Sequence, residues 1–244
     1  MPTFFVTSEA IVPPTVRITG PLLRHLRESL RLQPGERLSV TDDRGTRYQT
    51  EIVEVTHGIL TGRILDSTSA PATTGPSIIL AQALLKGEKM DWVIQKATEL
   101  GTERIVPVLA SHSVVRPRAD RIEHQRARWQ RIALEAAQQS ERWSVPAIDE
   151  PATMTRLLSD SSTARSKIML AERSSGSSLN RVALSNTGDI WLLIGPEGGW
   201  EDKELDQALG EGFVPINLGP RILRAETAAV AAMSVLQSRL GGLE

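Results

Sequence analysis

The sequence contains no cysteine. Disulfides, cysteine-ligated zinc, iron–sulfur clusters and thiol nucleophiles are thereby excluded, and the absence fits a reducing compartment. The four histidines are scattered without metal-ligand spacing, so no bound metal is expected. An excess of one charge is also missing: 28 Lys and Arg face 29 Asp and Glu, and a net charge of −1 sets up no global field for a polyanion. Any contact with nucleic acid must rest on local patches. No apolar run approaches the roughly 20 residues that span a bilayer, and Met1 to Ala10 lacks a basic stretch followed by an apolar one. These absences predict a soluble cytoplasmic protein with no membrane contact. Nucleotide fingerprints are missing too: neither G-x-G-x-x-G nor a Gly-Lys-Ser/Thr phosphate loop occurs.

What is present divides at a linker. At 244 residues the chain falls between one large domain and two modest ones. Up to residue 70, short β-like runs at 4–6, 37–41, 47–55 and 59–65 alternate with turns, two of them plausible hairpins at Asp43-Arg44-Gly45 and His57-Gly58. One helix over 21–32 interrupts them, with Leu23, Leu26 and Leu30 on one face and Arg24, Arg27 and Arg31 on an adjacent one. The stretch STSAPATTGPS at 67–77 is small, polar and broken by two prolines, which is linker composition. Domains over 1–70 and 76–244 are expected.

Beyond the linker the pattern is that of an α/β domain with a largely parallel sheet. Strands are predicted at 78–84, 104–109, 167–171, 190–194 and 214–218, and helices at 88–100, 121–142, 154–158, 202–209 and 225–240. In the helix over 88–100, Met90, Val93, Ile94, Ala97 and Leu100 form a core stripe, while Lys89, Lys96 and Glu99 face elsewhere. The last helix is apolar all round from Ala228 to Met233 and must be covered on every side, for which burial between subunits is one route.

Two strands deliver glycine loops at their C-terminal ends, where open α/β sheets bind ligands. Trp191 to Ile194 leads into Gly195-Pro196-Glu197-Gly198-Gly199, and the strand ending at Leu218 leads into Gly219-Pro220-Arg221-Ile222-Leu223-Arg224. Glycines let a ligand lie against bare backbone, although a short glycine turn is also an ordinary strand-to-helix connection. Glu197 puts an anion where a phosphate would sit, so a ligand without phosphate suits the first loop better.

The stretches LLIGPEGGW and LGPRILRAETAA resemble the paired C-terminal motifs of the ribosomal RNA small subunit methyltransferase E family, within the SPOUT superfamily. LLKGEKMDWVIQKATELG at 84–101, WQRIALEAAQQSER at 129–142, FFV at 4–6 and HLRESLRLQPGE at 25–36 carry the likeness into both domains. The chain departs from the family pattern at Thr3 and at Gln138-Gln139. The resemblance implies a PUA-like RNA-binding β-barrel followed by a SPOUT domain with a trefoil knot. It also implies a homodimer that makes N3-methyluridine in 16S ribosomal RNA of the small subunit from S-adenosylmethionine. Family precedent places that cofactor against Ile194, Gly195, Pro196, Glu197, Gly198, Gly199, Leu218, Gly219 and Pro220, with Ile222 and Leu223 beside the adenine.

Transfer to uridine N3 requires alignment and removal of a weakly acidic proton. Glu226 as base and Arg224 as the positive charge stabilising the uracil oxygens fit those roles. A first-turn carboxylate at a helix N-terminus and a structural ion pair are the plain alternatives. RNA backbone contacts fall to Arg24, Arg27 and Arg31 ahead of the run Arg116, Arg118, Arg121, Arg126, Arg128 and Arg131, whose residues sit on several sides of a helix. Trp200, beside the first loop, is either a stacking platform or packing. Two other readings stay open: a ribose 2′-O-methyltransferase of tRNA or rRNA, against which the helix start RAETAA argues, and a non-catalytic RNA-binding assembly protein; a nicotinamide dehydrogenase, suggested only by α/β order, is set aside because its fingerprint is missing.

Overall fold

The computed structural model describes residues 3–72, 75–171 and 177–243. Contacts divide the chain into two compact units, Met1–Ala72 with Ala137–Ser144, and Thr73–Ala136 with Val145–Glu244. Residues 73 and 74 of the expected linker lie outside the described residues.

The first unit is built on β1 (Thr3–Phe5), β2 (Ile11–Val12), β3 (Thr15–Ile18), α1 (Gly20–Arg24), β4 (Arg37–Thr41), β5 (Thr46–Val55) and β6 (Leu60–Ser69). They form one six-stranded sheet in the order β1-β4-β5-β6-β3-β2, parallel only between β1 and β4. Alternation sends Phe4, Val16, Ile18, Leu38, Val40, Ile52 and Leu60 into a shared core, closed by Leu23 and Leu26. The hairpin turns fall where expected, between β4 and β5 and between β5 and β6.

Three details depart from the sequence expectation. The helix over 21–32 is a single α turn followed by a π-helical turn, His25–Ser29, with Leu30 N–H donating to His25 O at 3.2 Å. Arg31 lies beyond it with φ 56, so it shares no helical face with Arg24 and Arg27. Second, β6 runs into the supposed linker because Ser67, Thr68 and Ser69 pair with Tyr48, Arg47 and Thr46, their small hydroxyl side chains being compatible with a ladder. Third, residues 137–144 group with the first unit, where Arg47 donates to the carbonyls of Glu141 and Arg142 at 2.9 Å and stacks over Trp143.

In the second unit come β7 (Ser77–Ala83), α2 (Lys89–Glu99), β8 (Arg104–Leu109), α3 (Ala119–Gln139, whose residues from 137 on group with the first unit), β9 (Ala147–Ile148), β10 (Ala152–Thr153) and α4 (Met154–Asp160). They are followed by β11 (Ser166–Leu170), β12 (Ser177–Ser178), β13 (Asp189–Ile194), α5 (Asp202–Gly210), β14 (Val214–Asn217) and α6 (Ala225–Arg239). The sheet runs β10-β8-β7-β13-β11-β14-β12, with β9 also on β8, and every pairing is parallel.

The central strands read as unbroken apolar runs because both of their faces are covered. On β13, Ile190, Leu192 and Ile194 join the core shared with α2, α3 and α6, whereas Trp191 and Leu193 join the core shared with α4 and α5. Ile78 and Leu80 against Ile79 and Ala81 split β7 in the same way. On α6, Ala225, Ala228, Ala229, Ala232, Met233 and Leu236 are buried, but Val230, Ala231 and Val235 remain half-buried. No helix among the described residues is long and apolar enough to cross a membrane.

Candidate active site

The strand order explains how loops far apart in sequence become one site. In register, β11 pairs with β13 on one side and β14 on the other, and parallel pairing puts all three C-terminal ends at one edge. The loops after β13 and β14 therefore flank the end of β11. Between them lies a cavity of about 720 Å³, lined by Leu170 and Ala171 at the end of β11 and by both loops. Ile194, Gly195, Pro196, Glu197, Gly198, Gly199, Leu218, Gly219, Pro220, Ile222 and Leu223 all contribute to that lining. Ala225 and Ala228 of α6 extend it with small apolar surface.

The glycines of the first loop are dictated by neighbours within the chain. A Cβ on Gly198 would stand 2.9 Å from His112 Cβ, and one on Gly195 would stand 3.0 Å from Trp200 Nε1. Trp200 in turn donates its indole N–H to Leu170 O at 3.0 Å and packs beside the core of α4 and α5. Of its two readings, the structure favours packing: the ring is the underlay of the loop.

Glu204 and His112 fix the approach of the loop after β8. Glu204 is 6% exposed, accepts from Ser111 N–H at 2.8 Å and Glu201 N–H at 3.1 Å, and completes a capping box at the start of α5. His112 Nδ1 lies 3.2 Å from Gly199 O, within reach to donate to it. Neither residue carries a motif, and their role was hidden in the sequence because it depends on loops that meet only in space.

Glu197 is not a lone anion. Lys89, the first residue of α2, places Nζ 3.0 Å from Glu197 Oε1 and 3.8 Å from Glu226 Oε2. Burial pushes the Glu197 carboxyl up, but hydrogen bonds from Lys89 and from backbone N–H groups, with the Lys89 charge, outweigh it and hold it below the usual glutamate range. Glu197 is therefore a paired anion, and Lys89, expected only to face away from the core stripe of α2, is its partner. Two carboxylates share one ammonium, which leaves a net negative charge at the side of the cavity.

Glu226 sits in the first turn of α6, where its charge also favours the helix dipole. Its Oε2 is buried and accepts no hydrogen bond among the described residues, a costly state for a carboxylate oxygen. Arg224 is exposed, and neither it nor Glu226 nor Lys89 contributes to the cavity lining. The cation in contact with Glu226 is Lys89 instead.

In the first unit, Arg24 and Arg27 line a smaller cavity of about 290 Å³ with His57, and Arg31 does not. Arg27 also pairs with Glu28 at 2.6 Å. Much of the longer arginine run is committed within the chain: Arg128 to Asp91, Arg126 to the Ile148 carbonyl at 3.0 Å, Arg116 to the Ser111 carbonyl at 3.1 Å and Arg118 to Asp120 at 3.3 Å. No cluster of potential metal ligands occurs among the described residues.

A parallel sheet with two glycine loops around one cavity, preceded by a small β unit, defines the class. The sequence model of the RNA methyltransferase domain matches residues 73–237, and that of the RNA methyltransferase PUA domain matches residues 18–65. A ribosomal RNA small subunit methyltransferase E from Synechocystis is 33% identical, the match covering 96% of this chain and 77% of that relative. The Neisseria gonorrhoeae enzyme of the same name, solved bound to S-adenosyl methionine, superposes with a TM-score of 0.88 at 30% identity, covering 98% of each chain. A Legionella pneumophila methyltransferase structure with the cofactor SAM bound gives 0.89 at 28% identity over 97% of each chain. The chain belongs to the ribosomal RNA small subunit methyltransferase E family.

Proposed function

We propose that this protein methylates N3 of a specific uridine in 16S ribosomal RNA, using S-adenosylmethionine. The observation that carries the reading is the single cavity shared by both glycine loops, whose volume lies within the roughly 300–1,000 Å³ of small-molecule sites.

The residues present fit that cofactor. Gly199 and Gly219 leave open space where a side chain would stand, Gly195 and Gly198 line the same cavity, and Leu218, Ile222, Leu223, Ala225 and Ala228 supply apolar surface for an adenine ring. When bound, S-adenosylmethionine supplies an electrophilic methyl group, the carbon–sulfur electron pair remaining with sulfur. The chain's own tasks are then to orient the uracil and to take its N3 proton. Glu226 Oε2, buried without a hydrogen bond, is the acceptor for that proton.

Arg24 and Arg27 are the candidates for RNA backbone contact. Half-buried Val230 and Ala231 on α6 suit contact with a second subunit. The trefoil threading implied by the resemblance would pass through the two loops around the cavity, as part of the same proposal.

The test is nucleoside mass spectrometry of 16S RNA and of assembled small subunits after incubation with the purified protein and labelled S-adenosylmethionine. N3-methyluridine is the expected product. A ribose-methylated nucleoside would reassign the reaction, and no transfer to either substrate would support a non-catalytic RNA-binding role.

A further inference from the structure

We propose that Lys89 and Glu226 together read the Watson–Crick edge of the target base, Glu226 accepting from uracil N3–H while Lys89 donates to an adjacent uracil carbonyl oxygen. The inference rests on the proposed reaction and adds a specificity residue to it.

An ammonium carries three hydrogen-bond donors. Lys89 directs one to Glu197 Oε1 at 3.0 Å, and its side chain keeps 37% of its surface exposed, so further donors remain for a ligand. Glu226 Oε2 stands 3.8 Å from the same nitrogen, too far for a hydrogen bond, and accepts none elsewhere among the described residues. A donor and an unsatisfied acceptor thus lie side by side outside the cavity lining, joined to it through Glu197, which lines the cavity, and Ala225, the residue before Glu226.

Uracil is their complement: N3–H is a donor and each neighbouring carbonyl oxygen is an acceptor. Cytosine reverses the pattern on its amino side, offering an acceptor at N3 and a donor at N4, so it would set acceptor against carboxylate and donor against ammonium. A site built on buried polar partners rejects such a mismatch strongly, because those partners are then left unpaired. Glu197 is the positioning residue, since its hydrogen bond with Lys89 keeps the ammonium beside Glu226. The same ammonium stabilises charge on the carbonyl oxygen as N3 loses its proton.

The test uses an oligoribonucleotide spanning the methylated uridine, synthesised with uridine, 2-thiouridine, 4-thiouridine or cytidine at that position. Sulfur keeps N3–H but is a weaker acceptor than oxygen. The wild-type enzyme is expected to favour uridine over one of the two thio-bases by about tenfold in kcat/KM, corresponding to one hydrogen bond to a charged group, and to leave cytidine unmodified. In Lys89→Met that preference disappears while S-adenosylmethionine affinity by calorimetry stays within about twofold, and Lys89→Arg restores part of it. Wild-type indifference to both thio-bases, or full preference retained in Lys89→Met, would overturn the assignment. If wild-type enzyme formed no N3-methyluridine in the RNA itself, both this inference and the reaction would fall.

Discussion

Lys89 is separated from Glu197 by 108 positions in sequence, and no periodicity relates them. The glycines of the two loops were legible because glycine is a visible anomaly at a strand end. A lysine at the start of a helix is not, although it lies within one of the stretches that carry the family resemblance. Arg224 was expected to supply a positive charge; the cation within ion-pair distance of Glu226 is Lys89, from an element that reaches it only through the fold. Three outcomes are expected at this scale. Glu226→Gln should lose at least about a hundredfold in turnover, the usual contribution of a general base, while cofactor affinity by calorimetry is retained. Near-normal turnover would remove the assignment. Gly198→Ala should lower the denaturation midpoint by an amount equivalent to about 1–3 kcal/mol and weaken cofactor binding, because His112 Cβ occupies the space. His112→Gly in the same chain should recover part of both.

The third concerns pH. Glu197 titrates below the ordinary glutamate range in the folded protein, so between the folded and unfolded values the unfolded chain holds the proton more often. Stability from its ionised form is therefore present at neutral pH and disappears as pH falls through the folded value. Denaturation midpoints from about pH 7 down to pH 3 should show wild type and Glu197→Gln converging in acid. A constant difference across that range would refute the linkage.

At the scale of elements, apolar runs covered on both faces gave the long strands of the second unit their clear signal, and β8 appears as expected over Arg104–Leu109. Short elements carried no such signal. β2, β9, β10 and β12 are two residues each, too short for any alternation to register. The segment after Arg24 followed helical spacing, but its hydrogen bonds widen into a π-turn, which rotates later residues off the expected face. Arg31, past the end of that turn with φ 56, falls outside the basic patch. Charge reversal of Arg24 and Arg27 together should weaken RNA binding and reduce the dependence of log affinity on log salt, by about 0.7–0.9 for each phosphate no longer neutralised. Arg31→Glu should change the slope less. Fluorescence anisotropy across a salt series reads both.

At the scale of the whole molecule, strand order decided function, and strand order is not written in any local pattern. Residue patterns alone reveal two loops at two strand ends. Only the insertion of β11 between β13 and β14 turns them into walls of one cavity. The family resemblance carried what periodicity could not, since it encodes the order of the whole sheet at once.

One rod, α6, starts at Ala225 with Glu226 as its second residue and runs 15 residues, or about 22 Å, past the half-buried Val230 and Ala231. If that face is where two copies meet, catalysis and self-association share a lever, and the enzyme senses its own abundance. Specific activity should then fall on dilution through the dimer dissociation range seen by analytical ultracentrifugation, and Ala231→Glu should shift both curves to higher protein concentration together. Activity per chain independent of dilution, in a protein that does dissociate, would uncouple the two ends of the helix.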